Sequence, residues 1–580
     1  MPPRKPLLLV LVALPFVLRL VLVWQDFERL VKSSPLLEDD FFFYLNTARH
    51  AVGGHWFTAD GETPTTGFQF LHQVLCTVLT APWGTESTLP FRLVLSVQVL
   101  LSALGALLLF FLLRSLWSTA AGWMGLFLYS WWLPLIRFGN NGMETPLVIV
   151  AVAGLCTRFV LLLGAPNARA ALWLGVTCAG SVLVRVDLAA VGAGMTAALM
   201  WLAVRGRLSR PEAARGAAAA AIGTTGALLA LGALNIAING HPLPDSGEAV
   251  RQLAGLYGPT FGGPVGTWAS LLGEAGAVFG DHPVAQLVLL NTLPPVVPAL
   301  LAAIVMAGSL IVVLRIPAGR RERIEGLLVT GAVAGGTLLA FYASVVPAYW
   351  FFSRYLFPLS ILLCIFVVPA GLWMVGVIRP AGGKTVLLAV SAAALLYGGG
   401  FMQRWSHLMF APVAGAATAS FDAPLSSLAV CHNYDIALWV RASVREDERV
   451  AMWQGGLVAY MAGRRVLHLD GVVNRDALEA WTGGRLDRYL RRKRIDWFID
   501  FRNVASIALS RCSDVSALVP AGASACSARV QVVAYRVRGS SIEGSLHHGP
   551  DPPFSQQRTP PAYHQGARPR ATTADRHTLD

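Results

Sequence analysis

Two adjacent carboxylates, Asp39 and Asp40, follow the first long apolar run of the chain; Glu38 precedes them and Phe41-Phe42-Phe43-Tyr44 comes next. Acids beside a bilayer are costly unless they bind a cation, take a proton or meet a polar substrate. Asp39 and Asp40 could deprotonate an acceptor hydroxyl or hold a divalent metal such as Mg or Mn. One Asp there would be an ordinary helix-start acid, since the pattern predicts a helix over 41–50. Two in a row, behind a glutamate, point further, to proton transfer or cation binding.

Other residues with chemistry to offer are spread along the chain. The stretch 53–68 is rich in turn signals (Asp60-Gly61, Thr63-Pro64, Thr66-Gly67). It also carries His55, Trp56, Asp60, Glu62 and Phe68, the aromatic and polar side chains that line sugar sites. Glu144 stands at the outer end of an apolar run, just before Pro146; it suits a first helical turn or a substrate contact. Arg19 lies five residues from the end of the first run; it could snorkel outward or meet a lipid phosphate. Arg354 and Tyr355 close the aromatic stretch that starts at Tyr349, an interfacial belt with a cation suited to phosphate. Arg251 is a second candidate for that role. His241 and Ser246 flank a Pro-rich turn. Arg185 and Asp187 are spaced to pair with each other, and Asp470 and Asn474 to cap a turn.

The composition says what must position these groups. Of 580 residues, 55% are hydrophobic and only 14% charged, against roughly a quarter charged in soluble proteins. The mean hydropathy is +0.56. Apolar runs recur from Leu7 to Met402 and predict eleven spans: 7–24, 90–113, 120–138, 144–163, 170–184, 188–204, 215–238, 286–314, 326–346, 355–378 and 384–402. The first carries no small-residue cleavage signal and is expected to remain as a helix. The run 68–82 is short and ends at Pro82, and is expected to lie at the interface; as a twelfth span it would disturb the charge pattern. The net charge of +13 would suit nucleic acid, but the arginines concentrate in alternate short loops. That is the positive-inside signature, with the N-terminus in the cytoplasm. Loops 25–89, 139–143, 185–187, 239–285 and 347–354 then face outward, on one side with Asp39 and Asp40.

Residues 1–402 therefore read as a membrane bundle and 403–540 as an external α/β domain. The expected strands are 449–453, 466–469, 497–501 and 530–537, with a basic helix over 486–494. The tail 541–580 is rich in Pro, His, Ser and Arg and is expected to be disordered. Of seven cysteines, Cys76, Cys156, Cys178 and Cys364 fall in apolar runs as packing residues. Cys512 and Cys526 could form a bridge in an oxidising compartment. No zinc-type spacing appears. Neither a Walker A run nor a Gly-x-Gly-x-x-Gly after a strand is present, which argues against a nucleotide-bound substrate.

The order of motifs resembles the C-type (GT-C) glycosyltransferases of bacterial envelopes. The resemblance rests on Asp39-Asp40 with the aromatic cluster behind it and on Phe57-Thr58-Ala59-Asp60-Gly61-Glu62-Thr63-Pro64-Thr65-Thr66-Gly67-Phe68. It continues in Asn141-Gly142-Met143-Glu144, Arg185-Val186-Asp187, the Pro244-Asp245-Ser246-Gly247 loop and Asp470-Gly471-Val472-Val473-Asn474. It covers most of residues 1–500. It implies a polytopic helical bundle in the cytoplasmic membrane, with active site and C-terminal domain outside. The implied activity is inverting transfer of a sugar from a polyprenyl-phosphate donor to a glycan, lipid or protein acceptor. By the same resemblance Asp39, helped by Asp40, would be the general base. Arg354, with Arg19 or Arg251, would meet the donor phosphate. Glu144, His55, Trp56, Asp60, Glu62, His241, Ser246 and Tyr355 would touch substrate. The partners would be donor, acceptor and membrane lipids, with no nucleic acid. A transporter or lipid flippase would place its acids mid-membrane, and an envelope scaffold would not need the Asp pair.

Overall fold

The computed structural model describes residues 5–33, 37–84, 87–131, 133–257, 318–346, 352–377, 425–527 and 530–538. The spans expected over 286–314 and 384–402, and the tail 541–580, lie outside the described residues.

The membrane half begins with α1 (Lys5–Val23) and three helices of the long loop that follows it: α2 (Phe27–Ser33), α3 (Asp39–Val52) and α4 (Phe70–Thr80). The bundle continues with α5 (Leu89–Leu116), α6 (Thr119–Ser130), α7 (Leu133–Phe138), α8 (Thr145–Gly164), α9 (Ala168–Val184), α10 (Ala189–Val204) and α11 (Arg210–Asn239). After α12 (Asp245–Tyr257) come α13 (Ala318–Ser344) and α14 (Phe352–Val377). Among the described residues, Leu89–Leu116, Thr145–Gly164, Val186–Val204, Arg210–Asn239 and Arg320–Tyr342 are long and apolar enough to cross a membrane. The expected spans 7–24, 170–184 and 355–378 are helices with shorter apolar stretches. The span expected over 120–138 is two helices, α6 and α7; Pro134 cannot continue a helix from the preceding turn and starts a new one. The helix α4 has 11 residues, about 16 Å at 1.5 Å per residue, too short to span.

Local signals fix the ends. In α11, Ser209 caps Glu212 N–H while its hydroxyl bonds the Glu212 carboxylate, with Pro211 in the first turn. Gly240, at φ +76°, then ends the helix and turns the chain towards Asp245.

The C-terminal unit opens with α15 (Leu425–Ser443). It continues as β1 (Arg449–Met452), α16 (Gly456–Met461), β2 (Arg465–His468), α17 (Arg475–Thr482), α18 (Leu486–Arg492), β3 (Trp497–Phe501), α19 (Arg502–Leu509), β4 (Leu518–Ser527) and β5 (Val530–Val537). The sheet order is β2-β1-β3-β5-β4. β2, β1 and β3 run parallel; β5 is antiparallel to β3 and to β4. Four strands fall where the strand-like runs predict them. β4 was not expected: Leu518-Val519-Pro520-Ala521-Gly522 has little strand character, and its register shifts between Pro520 and Gly522. Cys512 is a free thiol 3.6 Å from the Ala508 carbonyl oxygen, so the expected bridge to Cys526 is not made. Cys76, Cys156, Cys178 and Cys364 are buried and free, as packing residues should be.

The two halves share one core. Leu22, Leu30, Phe41, Phe42, Phe91 and Met143 of the membrane half pack with Tyr434, Leu457 and Tyr460 of the C-terminal unit. The loop between α1 and α5 is the layer between them.

Candidate active site

Asp39 and Asp40 occupy the first turn of α3, after the extended Glu38, where the helix dipole favours acids. Successive residues on a helix point about 100° apart, and the two carboxylates meet different partners. Asp39 is buried and turned to the C-terminal unit. Its Oδ2 accepts from Gly456 N–H at 2.8 Å, and its Oδ1 accepts from Leu457 N–H and Asn433 Nδ2, both at 3.1 Å. It thus satisfies the first N–H groups of α16, and Gly456 is required because a Cβ there would strike the Asp39 carbonyl oxygen. Asn46 Nδ2 donates to the Gly456 carbonyl, and Arg49 to that of Tyr460, whose ring lies beneath the guanidinium at 3.5 Å.

Asp40 faces the membrane half. Its side chain is 32% exposed, and Oδ2 lies 3.8 Å from Arg354 Nη1. Arg354, in the first turn of α14, also holds Glu144, with Nη2 at 3.3 Å from Oε1. Arg185 Nη1 lies 3.9 Å from the same Glu144 oxygen. Arg185 grips Asp187 through Nε and Nη2, at 2.7 and 2.8 Å, and donates to the Arg354 and Tyr355 carbonyl oxygens. Tyr342 donates to Asp187 at 2.7 Å and stacks on Tyr355. Four helix ends thus converge on one chain of charges: α8 with Glu144, the α9–α10 turn with Arg185 and Asp187, α13 with Tyr342 and α14 with Arg354.

Glu144 is held in place by a buried loop. Arg19 donates to Asn140 Oδ1 and to the Gly139 carbonyl at 2.8 Å. Gln98 bridges Gly142 N–H and the Met143 carbonyl. His72 Nε2 donates to the Gly142 carbonyl at 2.9 Å. Gly142 sits at φ +85° with the Phe41 ring against it, a place that admits no side chain.

The electrostatics separate the acids. Burial pushes Asp40 up to about 6, with Asp39 and Glu144 adding to the rise and Arg354 opposing it. Asp39 is raised by burial against its three N–H donors. Burial works against a charged Glu144, but Arg354 and then Arg185 outweigh it and hold Glu144 below the usual carboxylate range. At the carboxyl ends of the parallel strands, burial raises Asp500 to about 7 and lifts Asp470 well above its ordinary value. Asp500 accepts from Trp453 N–H at 2.6 Å and from its neighbour Phe501 N–H.

The expected site residues therefore divide. Asp40, Glu144, Arg354 and Tyr355 come together. Arg19 is fully enclosed and serves the 139–144 loop. Arg251 is exposed and paired with Glu248 at 2.6 Å. Asp60 organises its own turn, its Oδ1 accepting from Thr58, Glu62 N–H and Thr63 N–H. Glu62 is gripped by Arg449 through two hydrogen bonds, at 2.8 and 3.1 Å, and so docks the loop on the C-terminal unit. His55 and Trp56 are exposed, Trp56 at 63%. His241 is exposed on its turn and Ser246 is half-buried in the first turn of α12. Asn474 caps α17, as its spacing suggests.

Several residues went unread in the sequence. His72 gave a faint signal, one histidine on a mostly apolar helix. Asp500 gave a clearer one, an acid inside the apolar strand Trp-Phe-Ile-Asp-Phe. Asp245 ties Thr65, Thr66 N–H and Asn239 together, with Arg475 Nη1 at 3.7 Å; nothing in its Pro-rich turn announces that role.

A divalent ion shared by Asp39 and Asp40 does not fit this arrangement. Both Asp39 oxygens accept from N–H donors, and Asp40 faces a guanidinium. Among the described residues no three His, Cys, Asp or Glu side chains gather as ligands.

A family model described as a domain of unknown function (DUF8728) matches residues 427–542. No curated protein matches the sequence. The fold is similar to that of the archaeal oligosaccharyltransferase AglB from Archaeoglobus fulgidus, in complex with an inhibitory peptide and a dolichol-phosphate. The identity is 12%, with 94% of this chain and 76% of AglB covered, at a TM-score of 0.52. It is also similar to ArnT from Cupriavidus metallidurans, bound to undecaprenyl phosphate, at 13% identity, 92% and 98% coverage and a TM-score of 0.50. The chain is a membrane protein with a GT-C-like fold.

Proposed function

We propose that the chain is a glycosyltransferase that moves a sugar from a polyprenyl-phosphate donor to an acceptor hydroxyl at the outer face of the membrane, with inversion. The observation that carries this is the placing of Asp40: a partly exposed carboxylate, raised to about 6, beside the Arg354 guanidinium. Asp40, rather than Asp39, is the base, because Asp39 is occupied in docking the C-terminal unit. Asp40 takes the acceptor O–H proton. The oxygen attacks the anomeric carbon opposite the phosphate, and the bond from that carbon to the phosphate oxygen breaks with its electron pair. The product glycoside forms and polyprenyl phosphate departs, its added charge stabilised by Arg354. Arg19 and Arg251, with their present partners, are not assigned to the phosphate. Dolichol-phosphate on AglB and undecaprenyl phosphate on ArnT support a lipid-linked donor.

The test is release of polyprenyl phosphate from a panel of farnesyl- and decaprenyl-phosphate pentoses and hexoses by the purified protein in lipid nanodiscs, beside a lipid-scrambling assay. Release of free polyprenyl phosphate with transfer to a glycoside, lipid or peptide acceptor supports the proposal. Scrambling with no donor cleaved would point instead to a flippase.

A further inference from the structure

Asp470 follows β2 at the carboxyl end of the parallel strands, where open α/β sheets place ligands. Leu469 N–H still pairs with the Met452 carbonyl, so Asp470 begins the turn. It is only 7% exposed. One oxygen accepts from Val472 N–H at 2.9 Å; among the described residues none donates a hydrogen bond to the other. A turn of this kind needs one acceptor oxygen, which asparagine or serine also supplies. A carboxyl group with an unused oxygen is more than the turn requires.

The turn is pressed onto the loop between α1 and α5. Gly67 lies so close to Val472 that a Cβ would collide with the Val472 carbonyl, and Phe43, Ala59 and Val473 form a small shared core. After burial, Asp40 is the neighbour that most raises Asp470, ahead of Asp39 and Asp500. Phe43, which packs with Val473, lies one turn on from Asp40 along α3, so the turn meets the side of the helix that carries the base.

We propose that Asp470 completes the site from the C-terminal unit: its second oxygen holds one hydroxyl of a sugar acceptor while Asp40 takes the proton from a neighbouring, attacking hydroxyl. This rests on the transferase function proposed above and names its acceptor class. Two carboxyl groups, one from α3 and one from the turn packed on it, suit the several hydroxyls of a glycan, which a serine or a simple lipid alcohol does not offer. The domain matched over 427–542 is then a wall of the active site, and Asp470 sets acceptor preference.

The full-length protein in nanodiscs is assayed as wild type, Asp470→Ala and Asp470→Asn, with octyl glycosides of pentoses and hexoses as acceptors and the farnesyl-phosphate sugar panel as donors. In Asp470→Ala the acceptor KM rises about tenfold, the loss expected for one hydrogen bond to a buried polar group, with kcat within about threefold. Asp470→Asn keeps a donor and an acceptor and restores most of that affinity. An unchanged KM in Asp470→Ala overturns the proposal. So does an equal fall of kcat and melting temperature in both variants, the mark of a structural role. Should wild type transfer to no glycoside, saturation-transfer NMR with the same glycosides decides. Binding lost in Asp470→Ala supports the proposal; no binding to wild type, or binding kept in the variant, overturns it. Failure of the transferase function itself shows separately, as donor cleavage that survives Asp40→Asn.

Discussion

The membrane half and the C-terminal unit treat the acids around this site differently. At the helix ends of the membrane half Glu144 and Asp187 each meet a guanidinium, Glu144 that of Arg354 and Asp187 that of Arg185. At the carboxyl ends of the sheet, Asp470 and Asp500 meet backbone N–H groups, and burial raises both. Asp39 belongs with the second group although it is carried by the first. Asp40 stands on the border, with one cation at 3.8 Å and some access to solvent. Buried ion pairs fix charge; buried acids without cations give it up. A general base has to do neither, and among these acids Asp40 meets that condition.

Replacing the cation should break the contrast most severely. Arg354→Ala leaves Glu144 buried with only Arg185 near it and should cost about 3–5 kcal/mol, seen as a lower melting temperature and poor recovery from membranes. Any uncharged variant at Arg354 that still folds removes the influence opposing the rise of Asp40. The rising limb of its pH–rate profile should then move to higher pH.

Disturbing the docking should be milder. In Asp39→Asn one N–H of the side chain would face the N–H groups of Gly456 or Leu457. We expect a loss of about 1–3 kcal/mol, read as faster proteolysis between the two halves, with most turnover kept. Gly67→Ala pushes the Val472 carbonyl aside and should cost about 1–3 kcal/mol as an overpacking change, with acceptor KM affected more than donor cleavage. Glu62→Gln weakens a partly exposed pair with Arg449 and should change stability by about 0–1 kcal/mol, less at high salt. Because Asp39 and Asp40 do not form a shared metal site, EDTA should leave turnover unchanged; a loss restored by Mg or Mn would return a cation to the site.

Much of the bundle was legible because apolar length is a strong signal, and β3 and β5 because they are short runs rich in aromatic and β-branched residues. The meeting of Glu144 with Arg354 was half legible: each stood at an outer boundary, but their contact spans 210 positions and no local pattern encodes it. The roles of Asp39 and Asp40 were not separable in sequence. What distinguishes them is the N-terminus of α16, 417 residues further on, a six-residue helix with no polar cap of its own. Asp60 and Glu62 were legible as polar loop residues, yet turn geometry and docking claim the chemistry that substrate contact would have needed.

Donor cleavage by Asp40→Asn and Asp39→Asn, measured side by side across pH in lipid nanodiscs, tests the account most directly. In wild type, kcat/KM should rise with pH through about 6 and then level, because the base must be ionised and burial sets its pKa there; in Asp39→Asn the limb should persist but move to lower pH, because Asp39 no longer adds to the rise. In Asp40→Asn the rate should fall by about 10² to 10⁴, with melting temperature kept and that limb gone. Collapse in Asp39→Asn with Asp40→Asn close to wild type would contradict the assignment and make the docked carboxylate the base.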